Sequence, residues 1–243
     1  MTIKASEVKL LREKTGLGMM ECKKALLESE GDIDLAITNL RKNSALKAEK
    51  KSSRTAAEGK ILSKIDSSRN IAIILEINCE TDFVAKDQNF IDFCQETLDY
   101  CLENPDLSLE TQLENYLEEK RQNLIQKIGE NIVIRRKEII NSEFIYSYVH
   151  GNNKIGSILS ISNENDPIGN DIAMHVAASA PLVVSSEVLD EELISKKTSN
   201  TISIKDNLNE IHIELNNSNN FFIKYKDNLG ITNLVDFKVK NTI

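Results

Sequence analysis

Ile71-Ala72-Ile73-Ile74-Leu75-Glu76-Ile77-Asn78-Cys79-Glu80-Thr81-Asp82-Phe83-Val84-Ala85-Lys86-Asp87 is a stretch in which one periodicity gives way to another. Ile71, Ile73, Leu75 and Ile77 alternate with Ala72, Ile74, Glu76 and Asn78. Period two predicts a strand, and residues 60–66 pair with it in a hairpin about Ser67-Ser68-Arg69-Asn70. Asp87 is placed to cap a following helix. That helix carries Phe90, Phe93, Cys94, Thr97, Leu98 and Cys101 on one stripe, and Asn104-Pro105 ends it. Between strand and helix, Thr81 and Asp82 precede Phe83. An Asp-Phe pair at such a junction can project toward a partner. Spacing alone favours a plainer reading, an N-cap with a buried staple residue.

Outward toward the C-terminus, a second helix from Ser108 carries Leu113, Tyr116, Leu117 and Leu124 and stops at Gly129. A strand at 132–140 follows, interrupted by Arg135, Arg136 and Lys137. A similar order then begins again. Residues 144–150 and 155–162 predict a hairpin about Gly151-Asn152-Asn153, and 168–180 a helix stopped by Pro181. A weaker helix is expected near 186–196, and Val235, Phe237 and Val239 alternate in a last strand. Hairpin, helix, helix and strand thus recur at about 60–141 and 142–243, without a sequence repeat. Hairpins with helices between them predict an α+β fold with antiparallel sheets. The Asn-rich stretch 198–228 is poorly patterned and receives no assignment.

Toward the N-terminus, residues 4–42 predict three short helices. Val8 and Leu11 give the first an apolar side before Thr15-Gly16. Met19, Cys22 and Leu26 stripe the second, and Gly31 ends it. Asp32 caps the third, which carries Ile33, Ala36, Ile37 and Leu40. A unit this small is marginal alone and commonly serves as a docking module. Residues 41–59 set Arg41, Lys42, Lys47, Lys50, Lys51 and Arg54 among Ala and Ser, with no apolar stripe. They are expected to form a solvated helical linker, with a basic surface for an acidic partner as the alternative. The expected domains are residues 1–54, 55–141 and 142–243.

The chemistry on offer is sparse. Among 243 residues, Gly 9 and Pro 3 are too few for an all-β sandwich or barrel. With 30 Lys+Arg against 38 Asp+Glu, the net charge of −8 disfavours a nucleic-acid partner. No run of about 18 apolar residues predicts a membrane span. The start, Met1-Thr2-Ile3-Lys4, lacks signal character, so a cytoplasmic chain is expected. Its four cysteines, at 22, 79, 94 and 101, form no C-x-x-C and read as reduced thiols. Cys22, Cys94 and Cys101 fall on apolar stripes; Cys79 opens a loop with no His beside it in sequence. No Gly-rich phosphate loop occurs, and His150, His175 and His212 stand at no metal spacing. His175, among small and apolar neighbours, reads as a half-buried packing residue. No catalytic residue, metal or cofactor is expected.

Three stretches carry a family resemblance. The first is Leu11-Arg12-Glu13-Lys14-Thr15-Gly16-Leu17-Gly18-Met19-Met20-Glu21-Cys22-Lys23-Lys24-Ala25-Leu26, with Gly31-Asp32-Ile33 and Leu40-Arg41-Lys42 behind it. The second is residues 76–86. The third joins Ile128-Gly129-Glu130-Asn131-Ile132 to Asp171-Ile172-Ala173-Met174-His175-Val176-Ala177-Ala178-Ser179. Together they resemble the elongation factor Ts family, guanine-nucleotide exchange factors for elongation factor Tu. The resemblance implies an N-terminal unit like a ubiquitin-associated domain and a core of two related subdomains. It implies that Asp82 and Phe83, within Thr81-Asp82-Phe83-Val84, enter the GTPase domain of elongation factor Tu near its magnesium site. It implies supporting contacts from His175, from Ile128 with Gly129, and from Arg12, Met19, Met20 and Lys23. The partner implied is elongation factor Tu in its nucleotide-free and GDP forms. The chain departs from longer members, whose helical hairpin has only about residues 190–203 to occupy here and is expected reduced or absent. Their Phe-x-Val-Gly-Glu-Gly ending stands as Phe237-Lys238-Val239-Lys240-Asn241-Thr242, and their Gln-x-Phe-Val strand is not recognisable near 201–215. A ubiquitin-associated-type module of a ribosome-associated chaperone is the alternative, and a thiol or metal enzyme a remoter one.

Overall fold

The computed structural model describes residues 3–162, 164 and 166–179, together with strand backbone at 199–205, 210–216, 221–225 and 231–238. Helices and antiparallel strands mix, as an α+β fold requires. The described residues fall into two compact units, one within 1–59 and 77–135, the other within 60–76 and 136–239. The cuts lie inside strands β1 (Glu58–Asp66), β2 (Ile71–Cys79) and β3 (Val133–Asn141), away from the boundaries expected after 54 and 141. The helix expected near 186–196 and Val239 of the last strand lie outside the described residues.

The first unit begins with α1 (Ala5–Thr15), α2 (Met19–Glu28) and α3 (Ile33–Lys51). Gly16, at φ 70°, closes α1 in the left-handed region that favours glycine. Asp32 caps α3, its Oδ1 accepting from the amides of Asp34 at 2.9 Å and Leu35 at 3.0 Å. Val8, Leu11, Leu17, Cys22, Leu26, Ala36 and Leu40 close a common core.

The linker expectation needs correcting. Residues 41–51 continue α3 without a break, and Leu40, Ser44 and Ala48 are buried one turn apart. They pack on α7 (Glu118–Ile128), where the Ser44 hydroxyl donates to the Gln126 side chain and Arg41 pairs with Glu119 at 2.9 Å. The Lys51 ammonium donates to the Gly129 carbonyl. Small side chains let the two helices approach closely, so a seam formed where no apolar stripe was visible.

The stripe predicted from Phe90 lies buried on α5 (Gln88–Glu103). The helix expected from Ser108 is a composite of α6 (Leu109–Gln112), a π turn at Leu113–Leu117 and α7. The extra residue of the wide turn shifts the phase of the face. Leu117 is fully buried, whereas Tyr116, expected on the apolar stripe, is partly exposed and stacks on Tyr100 with centroids 4.5 Å apart.

Strands β1, β2 and β3 neighbour one another in that order. The middle strand is buried on both faces from Ala72 to Cys79, not on the Ile71–Ile77 row alone. Glu76, 2% exposed, is matched there by Arg136, whose Nε donates at 2.6 Å.

In the second unit, β4 (Ile145–Val149) and β5 (Ile155–Ile161) form the expected hairpin, and β9 (Ile231–Lys238) pairs antiparallel with β5. Each sheet therefore places a later strand beside the second strand of a hairpin. Helix α8 (Asp166–Ser179) covers β4 and β5 with Ile172, Ala173 and Val176. Gly169 permits this approach, because a Cβ there would stand 2.4 Å from the Tyr146 ring. Between α8 and β9 the described residues form a separate antiparallel sheet of β6 (Ser199–Lys205), β7 (Glu210–Asn216) and β8 (Phe221–Tyr225). Its register pairs Ile202 with Ile213 and Ile213 with Ile223.

Candidate functional site

The strand-to-helix junction after β2 is built from the inside outward. Cys79 is fully buried, and its thiol donates to the Thr81 carbonyl at 3.2 Å. The chain then turns into α4 (Asp82–Ala85), a single helical turn capped by the Thr81 hydroxyl, which accepts from the Val84 amide at 3.4 Å. Val84 and Ala85 are buried at 8% and 5% exposure, while Phe83 between Asp82 and Val84 is 81% exposed. The buried-staple reading of Phe83 is excluded by that figure. Asp82 pairs across the turn with Lys86 at 2.8 Å. The bond to Asp82 raises the Lys86 pKa above its ordinary value. Asp87 caps α5 through the Asn89 amide at 2.9 Å, and the Asn89 side chain donates to it as well. That side-chain bond holds the Asp87 carboxyl below the usual carboxylate range.

Behind the turn lies a second loop, Gly129–Asn131. Gly129 ends α7 with φ 91°, a left-handed cap. The Glu130 carboxylate accepts three hydrogen bonds: the Glu80 amide at 3.1 Å, the Thr81 amide at 3.0 Å and the Thr81 hydroxyl at 2.7 Å. Glu80 reciprocates, its Oε1 accepting from the Asn131 amide at 2.6 Å. The buried Asn131 side chain donates onward to the Arg54 carbonyl at 2.8 Å.

The other expected residues are distributed as follows. Met19 and Met20 open α2 at 56% and 78% exposure, and Arg12 and Lys23 stand exposed on α1 and α2. A cleft of about 250 Å³ separates Thr15, Gly16 and Leu17 from Asn89, Asp92 and Phe93, so the α1–α2 turn faces the start of α5. Ile128 and Gly129 are half-buried at the end of α7. These residues share the first unit with Thr81, Asp82, Phe83 and Val84; His175 belongs to the second, half-buried on α8. Among the described residues no group of three His, Cys, Asp or Glu side chains could hold a metal ion.

The family model for Elongation factor TS matches residues 80–222, more than half of the chain. The chain belongs to the elongation factor Ts family. The elongation factor Ts of Hahella chejuensis is 47% identical over 195 residues, covering 80% of this chain and 68% of the relative. That of Marinobacter nauticus is 48% identical over 195 residues, with the same coverage. That of Pasteurella multocida is 46% identical over 202 residues, covering 83% of this chain and 70% of the relative. Membership in the elongation factor Ts family implies a nucleotide-exchange role in translation, with elongation factor Tu as the partner.

Sequence reasoning named Ile128 and Gly129 but assigned no role to Glu130 and Asn131 beside them, nor to Glu80. Glu80 and Glu130 are 50 residues apart, and no local spacing announces their pairing. The available signal was a charged residue immediately after a helix-ending glycine.

Proposed function

We propose that this chain promotes GDP release from elongation factor Tu by inserting the Asp82-Phe83 turn into the GTPase domain near its magnesium site. Thr81, Asp82, Phe83 and Val84 form the inserting element. Arg12, Met19, Met20 and Lys23 supply a docking surface on the N-terminal helices, which we read as a ubiquitin-associated-like module within residues 1–54. Ile128, Gly129 and His175 support the same contact. The two following stretches, 55–141 and 142–243, serve as related subdomains of the core.

One observation carries this reading. Phe83 is 81% exposed while the next two residues are buried, so an aromatic ring is held in water by a turn anchored on both sides. An isolated exposed aromatic with nothing to cover it gains stability only in a complex. The chemistry makes and breaks no covalent bond. A protein that binds nucleotide-free elongation factor Tu more tightly than the GDP form must weaken GDP by the same factor. A ring wedged between elements of the GTPase, with the Asp82 carboxylate near the metal's water shell, disfavours the magnesium-bound arrangement. GTP entry then completes the cycle. The net charge of −8 fits a protein partner rather than a direct nucleic-acid contact, and we read the chain as cytoplasmic. Among the described residues no helix is long and apolar enough to cross a membrane.

Stopped-flow release of a fluorescent GDP analogue from elongation factor Tu tests the proposal. Catalytic amounts of the chain should accelerate release, and release unchanged by saturating chain would overturn it.

A further inference from the structure

We infer that Glu130 is the positioning residue of the exchange activity, its carboxylate holding the Thr81 cap so that Phe83 is presented in one fixed direction. The inference rests on the insertion of Phe83 proposed above.

The four-residue helix α4 is too short to hold its own conformation, since helix nucleation is costly. Something outside it must fix the direction of Phe83. Val84 and Ala85 anchor its inner face by burial. The outer geometry is set where the strand ends and the helix has not begun. There, two successive backbone amides, Glu80 and Thr81, lie just past the end of β2 and meet one Glu130 oxygen at 3.1 and 3.0 Å. The other Glu130 oxygen takes the Thr81 hydroxyl proton at 2.7 Å. That choice leaves a Thr81 lone pair for the Val84 amide, so the cap of α4 depends on what the hydroxyl donates to.

A carboxylate suits this place because it only accepts, and all three groups facing it donate. The reverse bond from the Asn131 amide to Glu80 at 2.6 Å closes the clasp, with Arg54 Nη1 at 3.6 Å from the same Glu80 oxygen. Asn131 in turn holds the Arg54 and Ser52 carbonyls at 2.8 and 3.4 Å. Glu130 reaches the proposed inserting turn through the Thr81 amide and hydroxyl. It acts through Thr81. A loosened turn lowers the fraction of molecules competent to insert, and apparent efficiency falls by that fraction.

The test uses the full chain and the release of fluorescent GDP from elongation factor Tu, measured across chain concentrations. The variants are Glu130→Ala, Glu130→Gln, Phe83→Ala and the double substitution Glu130→Ala/Phe83→Ala. Losing hydrogen bonds to a charged acceptor should lower the maximal release rate of Glu130→Ala about tenfold. The half-saturating concentration should move much less, because docking through the N-terminal helices is untouched. Glu130→Gln keeps an acceptor oxygen for both amides and should recover most of the rate. The double variant should be no slower than Phe83→Ala alone, since nothing remains to be positioned.

A normal maximal rate for Glu130→Ala, a Gln variant as slow as the Ala variant, or losses that simply multiply would each overturn the inference. If Phe83→Ala itself releases GDP at the unmodified rate, the insertion reading fails first. Should Glu130→Ala not fold, amide hydrogen exchange in the unmodified chain decides. Glu80 and Thr81 should be protected, and exchange at the unprotected rate would show that no clasp exists in solution.

Discussion

Phe83 and Val84 are adjacent and have opposite fates, one in water and one in the core. The difference is set by Thr81, whose cap starts the turn that sends Val84 and Ala85 inward and leaves Phe83 outside. Truncating a central aromatic anchor of an interface typically costs on the order of 2–4 kcal/mol, so Phe83→Ala should lower exchange efficiency roughly thirty- to several-hundred-fold. Its melting temperature should stay close to that of the unmodified chain. A buried Phe would behave oppositely, losing about 3–5 kcal/mol of folding stability. A large fall in melting temperature with exchange intact would place Phe83 in the core. At this scale the sequence was partly legible. Thr81-Asp82-Phe83 stood out at a strand end, but its spacing favoured a buried staple, because exposure depends on which neighbours bury. Glu130 was illegible because its partners lie about 50 positions away in the chain.

Among the elements, α5 is the most faithful to its pattern: a cap, a stripe and an Asn-Pro stop, each where the residues put them. Removing the cap with Asp87→Ala should destabilise by about 0.5–2 kcal/mol, readable by urea denaturation at neutral pH. The Asp87 carboxyl sits below its ordinary pKa because Asn89 donates to it in the folded chain. A depressed carboxylate contributes above its unfolded pKa of about 3.9, and that contribution fades as pH falls through the folded value. The stability gap between Asp87→Ala and the unmodified chain should therefore narrow as the pH falls below about 5; a gap constant in pH would show that ionised Asp87 is not the cap. Helix α3 is the contrary case. Its second half read as solvated because small residues such as Ser44 and Ala48 make no apolar stripe, yet both are buried where α3 packs on α7. Close helix contact needs small volume rather than hydrophobicity, and a hydropathy pattern does not register volume. Ala48→Leu should overpack this seam and cost about 1–3 kcal/mol by thermal or urea denaturation. A neutral result would mean the helices do not approach as closely as their small residues allow. The π turn at Leu113–Leu117 escaped for a related reason, since one extra residue in a turn changes the phase of a stripe without changing its composition.

For the whole molecule, the two hairpins and the later strand beside each, β3 and β9, were visible in the sequence as local periodicities, whereas the second helix expected in the second copy lies outside the described residues. The units that result are not contiguous, since residues 60–76 leave the first unit for the second and residues 77–135 return. The strands of 199–225 were missed although Ile211, Ile213 and Leu215 alternate with polar residues, because Asn-rich neighbours weaken every window around them. Function at this scale is a statement about linkage rather than about any single contact. If this chain exchanges nucleotide on elongation factor Tu, its affinity for the nucleotide-free form must exceed that for the GDP form by some factor. The same factor must divide the affinity of elongation factor Tu for GDP when the chain is bound, and coupling of this kind typically lies between about 5-fold and 150-fold. Titration calorimetry on nucleotide-free and GDP-loaded elongation factor Tu measures one ratio; GDP titration with and without saturating chain measures the other. The two should agree within error, and Phe83→Ala should shrink both together. Equal affinity for the two forms would rule out exchange however tight the binding, because a partner that does not distinguish two states cannot shift the balance between them.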